Sequence, residues 1–192
     1  NACPSCGACS FIGTATTMQI MSEALGLALP GTSLLPATSQ ELKDVAKNIG
    51  GHIRFLVERN IKPSDILTKE AFENAIMVHA AIAGSTNALL HLPAIAHEAG
   101  IELTGEDFDR IHRTIPYILN LSGFYPAQYY YYAGGTPAIM EAIKDHLHLD
   151  VMTVTGKTLG ENLEELKKNG YYERCFAHLK EVHVKREDII LP

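Results

Sequence analysis

Nothing in these 192 residues approaches the roughly 20 consecutive apolar residues that a membrane-spanning helix needs. No signal-peptide pattern is visible either. Basic residues are scattered and form no stripe. With 16 Lys and Arg against 22 Asp and Glu, the formal net charge is −6, which argues against a nucleic-acid partner. Repeats, low-complexity tracts and long linkers are missing. Disorder is disfavoured, because 46% of the chain is hydrophobic and only 20% is charged. Strand candidates are few and short: Val151 to Val154, and Val182 to Val184. Cysteine is also scarce, with four in all.

Three of those four cysteines crowd into one loop. Cys3, Cys6 and Cys9 form a C-x-x-C-x-x-C run, and Cys175 stands alone far downstream. Structural disulfides rarely join cysteines so close together. The crowding points to metal or redox chemistry in a reducing compartment, hence to a cytoplasmic protein. Soft thiolates at this spacing can hold iron or zinc, and Gly7 and Ala8 let the backbone approach a cluster. Buried free cysteines and thiol redox chemistry are the competing readings. A closed zinc site needs four ligands, and no fourth stands out. A helix should follow, through Met21 and Leu25 to Pro30-Gly31. Its N-terminal N–H groups would favour thiolate charge and an anionic substrate.

Helical periodicity dominates the rest. Leu42, Val45, Ala46, Ile49, Ile53, Leu56 and Val57 make one apolar stripe, preceded by Thr38 with Glu41 as a capping box. A second helix should start near Thr68 and run through Phe72, Ala75, Ile76 and Val78 to Ala83, apolar almost all round. A third carries Leu89, Leu92 and Ile95 to Gly100, with Pro93 as a kink or break. Thr104 with Asp107, and Thr158 with Glu161, read as helix starts. Gly134-Gly135-Thr136-Pro137 opens another helix. Thr155-Gly156-Lys157-Thr158 looks like the end of a phosphate loop, but the earlier glycine is absent and helix capping is the better reading.

Longer motifs add to this pattern. Cys-Pro-x-Cys-Gly-x-Cys is followed by Thr14-Ala15-x-x-Met18, Glu23-Ala24-Leu25-Gly26-Leu27 and Pro30-Gly31. Downstream come Phe72-Glu73-Asn74-Ala75, Gly84-Ser85-Thr86-Asn87, Leu90-His91-Leu92, Ala133-Gly134-Gly135 and the run from Thr153 to Asn162. In content and order this resembles the dihydroxy-acid and phosphogluconate dehydratase family, across essentially the whole chain. The phrase from Ala8 to Ala15 is most similar to the sugar-acid branch, particularly aldonate (xylonate-type) dehydratases.

The resemblance implies a hydro-lyase that removes water from a 2,3-dihydroxy acid to give a 2-keto acid. It implies an iron–sulfur cluster, two-iron or four-iron, as Lewis acid, with Mg2+ holding the substrate. Cys9 matches the family's cluster ligand, while Cys3 and Cys6 match cysteines that flank it without usually being ligands. The other cluster ligands and most magnesium ligands would lie upstream. A further magnesium ligand and the serine base would lie in a C-terminal domain beyond Pro192. Residues 1–192 are thus expected to be one partial domain, an internal fragment of the cluster-binding N-terminal domain and inactive alone. The expected fold is a mainly α segment of a larger α/β domain, with about six or seven helices and few short strands.

Other residues were weighed for function. Ser85, Thr86 and Asn87 could bind substrate or brace the active site, but an N-cap is the favoured reading. His146 and His148, with Asp145 and Asp150, make a weak metal candidate. His79 and His91 read as satisfied core or interface residues, not ligands. Tyr129 to Tyr132 cannot all face one core, so some should sit at a subunit interface. A small-molecule sugar acid and a second copy of the chain are the expected partners. A non-catalytic structural module remains an alternative, as does a small metal or redox protein using Cys3, Cys6 and Cys9 together. The tail from Lys185 to Pro192 reads as a connector.

Overall fold

The computed structural model describes residues 7–8, 10–121 and 125–192. Cys3, Cys6 and Cys9 lie outside the described residues.

Among those described, the chain forms ten α-helices and two 3₁₀ turns, with no strand longer than an isolated bridge. The segment is therefore mainly α, as the periodicity indicates. At the centre is α4 (Lys69–Ile82), started by Thr68, whose side chain accepts the Ala71 N–H. Nine of its fourteen residues are buried, Phe72, Ala75, Ile76, Val78 and Ala81 completely. It packs against α1 (Thr14–Ala24), α6 (Gly105–His112) and α8 (Gly135–Ala142). The same core takes Ile20 and Met21 of α1, Phe108 and Ile111 of α6, and Ile139 of α8. Asn74, buried in the middle of α4, donates to the His148 carbonyl and accepts the His148 N–H. A polar side chain at that depth needs both bonds.

Several helix starts fall where capping chemistry places them. Thr104 opens α6 in a box with Asp107, and Thr158 opens α9 (Leu159–Lys168) in a box with Glu161. Gly134 precedes α8, with Pro137 in its first turn. Thr158 therefore serves the helix, and the phosphate-loop likeness has no counterpart. Pro93 neither ends nor splits α5 (Ala88–Glu98), which runs through it.

Other expectations are corrected. α1 ends at Ala24, short of Pro30, because the chain folds back: Leu27 and Ala28 donate to the Ser22 carbonyl, and Gly26 accepts from Val154. The cap of α2 (Gln40–Glu58) is Ser39, not Thr38; its side chain accepts the Leu42 N–H. Val151 to Val154 form only the Met152–Thr158 bridge of a tight turn, and Val182 to Val184 lie in the turn after α10 (Tyr171–Glu181). The tail is no free connector. A 3₁₀ turn at Arg186–Asp188 leads into Ile189 and Ile190, both completely buried, and Leu191 and Asn120 tie it by backbone bonds to Ile118 and Ile189. With α3 (Pro63–Ile66), α7 (Gln128–Tyr132) and α10 added, the helix number among the described residues rises from the expected six or seven to ten.

The tyrosine run forms α7. Tyr130 is fully buried and the other three are partly covered. Tyr132 stacks on His178 of α10, so part of this surface is covered within the chain.

Candidate functional site

The cysteine loop leads into α1, and the described residues on either side show what surrounds that junction. Gly13 precedes the helix without a side-chain cap. The Thr16 hydroxyl turns back to the carbonyls of Phe11 and Gly13. Ser10 is fixed from the other side, its carbonyl accepting the Ala127 N–H. The segment that follows Cys9 in sequence is thus tied to the body of the protein.

A cleft of about 200 Å³ opens beside them. Its walls include Gly7, Ala8 and Ser10, Thr16 and Gln19 of α1, Ser33 to Ala37, and Gln128. Among the described residues, every polar side chain here is a hydroxyl or an amide, and none of them is charged.

The far wall is held by Glu23. This α1 carboxyl is 3% exposed and accepts the N–H groups of Gly31 at 2.6 Å and Ser33 at 3.0 Å. Burial pushes its pKa above the usual range, and the bonds it accepts pull the other way. Ser33 passes the network on to Thr136, and the Tyr130 hydroxyl donates to Thr136.

The Gly84-Ser85-Thr86-Asn87 turn braces the start of α1. Ser85 N–H donates to Thr17 Oγ1 at 3.0 Å, and the Ser85 and Thr14 hydroxyls are 3.2 Å apart. Asn87 Nδ2 donates to Thr14 Oγ1 at 2.6 Å. Asn87 stands at the N-cap position of α5 without a side-chain cap bond; its amide N–H goes to Thr14, and Ser85 Oγ accepts the Asn87 backbone N–H. Thr86 is exposed. Behind the turn lies His79 of α4, with His112 of α6 against it. A Cβ on Gly84 would stand 2.6 Å from His79 Cδ2 and 3.0 Å from Thr17 Cγ2, so only glycine allows this approach.

Sequence reasoning named Ser85, Asn87 and His79, and the structure brings these three together. It missed Thr14, Thr17, Glu23 and His112. Thr14 and Glu23 stood inside quoted motifs, and a carboxylate amid apolar helix residues was a usable signal. His91 is exposed and is no core residue. His148 pairs with Glu73 at 2.8 Å, and no group of three metal-binding side chains occurs among the described residues. Cys175 is buried beside Tyr171 and Tyr131, and burial pushes its thiol up to about 11, an inert setting.

These residues constrain a metal group in one way. Among the described residues, the lining around Gly7, Ala8 and Ser10 offers no carboxylate or imidazole, and its side chains there are small. A Cβ on Gly7 would reach within 2.8 Å of Ala37 Cβ, so the backbone lies directly on that wall. The described small side chains beside the loop are compatible with a cluster held from it, and the described lining offers hydroxyl and amide oxygens but no carboxylate or imidazole to a metal ion.

Comparison with known proteins decides the family. The profile of the dihydroxy-acid/6-phosphogluconate dehydratase N-terminal region matches residues 1–162. The chain belongs to this family. Among curated relatives, the dihydroxy-acid dehydratase of Caldicellulosiruptor saccharolyticus is 50% identical over 175 residues, 89% of this chain and 32% of the relative. That of Caldanaerobacter subterraneus is 49% identical over 171 residues, covering 87% and 31%. The Metallosphaera sedula enzyme is 50% identical over 171 residues, again 87% and 31%. The chain spans about a third of the length of these relatives. None of the described helices is long and apolar enough to cross a membrane.

Proposed function

We propose that this chain is part of a hydro-lyase that converts a 2,3-dihydroxy acid to a 2-keto acid. Family membership carries the reading, and its relatives at about half identity are named dihydroxy-acid dehydratases. When bound, an iron–sulfur cluster would supply the Lewis acid for loss of the hydroxyl, with Mg2+ positioning the acid. Cys9 would be the ligand this chain provides, and Cys3 and Cys6 would shape the loop around it. The remaining ligands and the base would come from outside these 192 residues. A cytoplasmic, reducing setting and a homo-oligomer accord with that chemistry.

The chain's own residues act by holding. Ser85 and Asn87 fix Thr14, and Glu23 fixes the 31–33 loop opposite. Beside α1 and the 31–33 loop lies a cleft whose described polar side chains are hydroxyls and amides, suited to a hydroxylated acid. The phrase from Ala8 to Ala15 favours a sugar acid as the substrate, whereas the relatives' names favour the dihydroxy acids they are called after.

The test is the uninterrupted protein, purified without oxygen and assayed for 2-keto acid with aldonates and with simple 2,3-dihydroxy acids. Turnover of one class, lost in Cys9→Ser together with iron and sulfide, is expected. A protein with full iron and sulfide that turns over neither class overturns the proposal, and so does turnover by the isolated 192-residue chain.

A further inference from the structure

His79 is 4% exposed, and each of its ring nitrogens has a polar partner. Nε2 lies 3.0 Å from the Ser85 carbonyl oxygen, which can only accept, so Nε2 carries a hydrogen. In a neutral ring Nδ1 is then an acceptor. His112 Nε2 lies 3.1 Å from it and must donate. The neutral pair has one consistent order: His112 donates to His79, and His79 donates to the turn.

The opposite order would require a charged His79. Its surroundings oppose that. Phe108 sets its ring edge-to-face against both imidazoles. From α6 the facing titratable group is His112, with Asp109 acting on His112; from α1 comes Thr17, and from the turn the backbone of Gly84 and Ser85. Among the described residues, no carboxylate contacts His79 to offset a charge. Burial holds both histidines below their usual pKa, and His112 is lowered further by His79 itself.

What His79 grips is the turn that brackets Thr14 and Thr17. Thr14 follows Cys9 by five positions in the sequence. We propose that His79, kept as its Nε2–H tautomer by His112, is a positioning residue for the dehydration: through the Ser85 carbonyl it sets the turn that fixes the first turn of α1. Its catalytic consequence rests on the dehydratase reading; the proton order does not.

The test uses the full-length protein with two neutral replacements of similar size. In His79→Gln the amide can still donate to Ser85, whereas in His79→Asn it can replace only the Nδ1 side. The Asn variant should lose kcat by on the order of ten- to a hundredfold with KM little changed, and should lose its visible iron–sulfur absorbance faster in air, while Gln recovers most of both. In 15N-histidine-labelled protein, the resonance missing from both variants should show the neutral Nε2–H pattern at pH 7. Equal loss in the two variants, no loss in either, or an Nδ1–H or charged His79 overturns the proposal. Should the wild-type protein turn over no dihydroxy acid, the dehydratase reading fails separately. Amide exchange at Ser85 and Thr17 then decides: faster in Asn than in Gln upholds the positioning role, and equal rates sink it.

Discussion

Helices α2 and α4 both present apolar residues at helical spacing but end in opposite surroundings. α2 has the cleaner stripe, yet none of its residues is buried, and Ile53 and Val57 are 56% and 74% exposed. α4 is apolar on several sides and is covered by α1, α5, α6 and α8. A stripe reports that a helix needs a partner and not whether the partner is close in the chain. α4 finds its partners within these residues, whereas α2 lies over only a shallow groove formed with Leu27, Leu29 and Val154.

The sharpest way to break that contrast is truncation on each helix. Phe72→Ala in α4 should cost about 3–5 kcal/mol, since the ring is fully enclosed and its neighbours cannot collapse into the space. Ile53→Ala in α2 should cost less than about 0.5 kcal/mol, as an exposed substitution does. Urea unfolding measures both. A cost above about 1 kcal/mol for Ile53→Ala in the intact protein would mean that its stripe is covered from outside these residues.

Next in size is the clamp on α1. Glu23→Ala removes the acceptor for two buried N–H groups, each worth about 1–3 kcal/mol when left unpaired. Glu23→Gln should cost less, because one oxygen still accepts. Both should loosen the 31–33 loop, read as faster amide exchange at Gly31 and Ser33. Unchanged exchange in the Ala variant would show that the loop is held by something else. Smaller still is the cap of α2: Ser39→Ala should cost about 1 kcal/mol of helix stability and fray the first turn, which exchange at Leu42 would report.

Much of the fold was legible because its signals are local. Thr68, Thr104 and Thr158 start helices where side-chain oxygens meet free N–H groups, and those choices need no distant partner. The tail was misread because Ile189 and Ile190 find their burial against residues about seventy positions away. The Val151 strand was misread because its β-branched residues do suit an extended segment, but its partner, Lys157 to Leu159, lies just across a tight turn and the pairing stops at one bridge. At the site, Asn87 was legible as polar and placed before a helix, which is also the description of a cap. Its true partner, Thr14, lies 73 positions earlier, and spacing carries no information about that pairing. Ser85 and His79 were named separately for the same reason; only packing shows that they bond to each other.

The two polar intrusions on the buried face of α4 differ in one respect, and that gives the smallest effect. Asn74 is satisfied at every pH, whereas His79 and its partner His112 can take up protons. Both histidines have folded-state pKa values lowered below the ordinary 6.5, mainly by burial. In the unfolded chain they would titrate near that ordinary value, so below it the unfolded state binds more protons than the folded one. Their contribution is therefore intact above about pH 6.5 and declines as pH falls towards the lowered values. Denaturation midpoints between pH 7.5 and pH 5 should fall by less in His112→Gln than in the wild type, and by less again in His79→Gln with His112→Gln. Asn74→Asp is the contrasting control: it puts a new carboxyl against the His148 carbonyl, so its cost should grow as pH rises. Parallel slopes in the wild type and the double histidine variant would show that the pair does not titrate on folding.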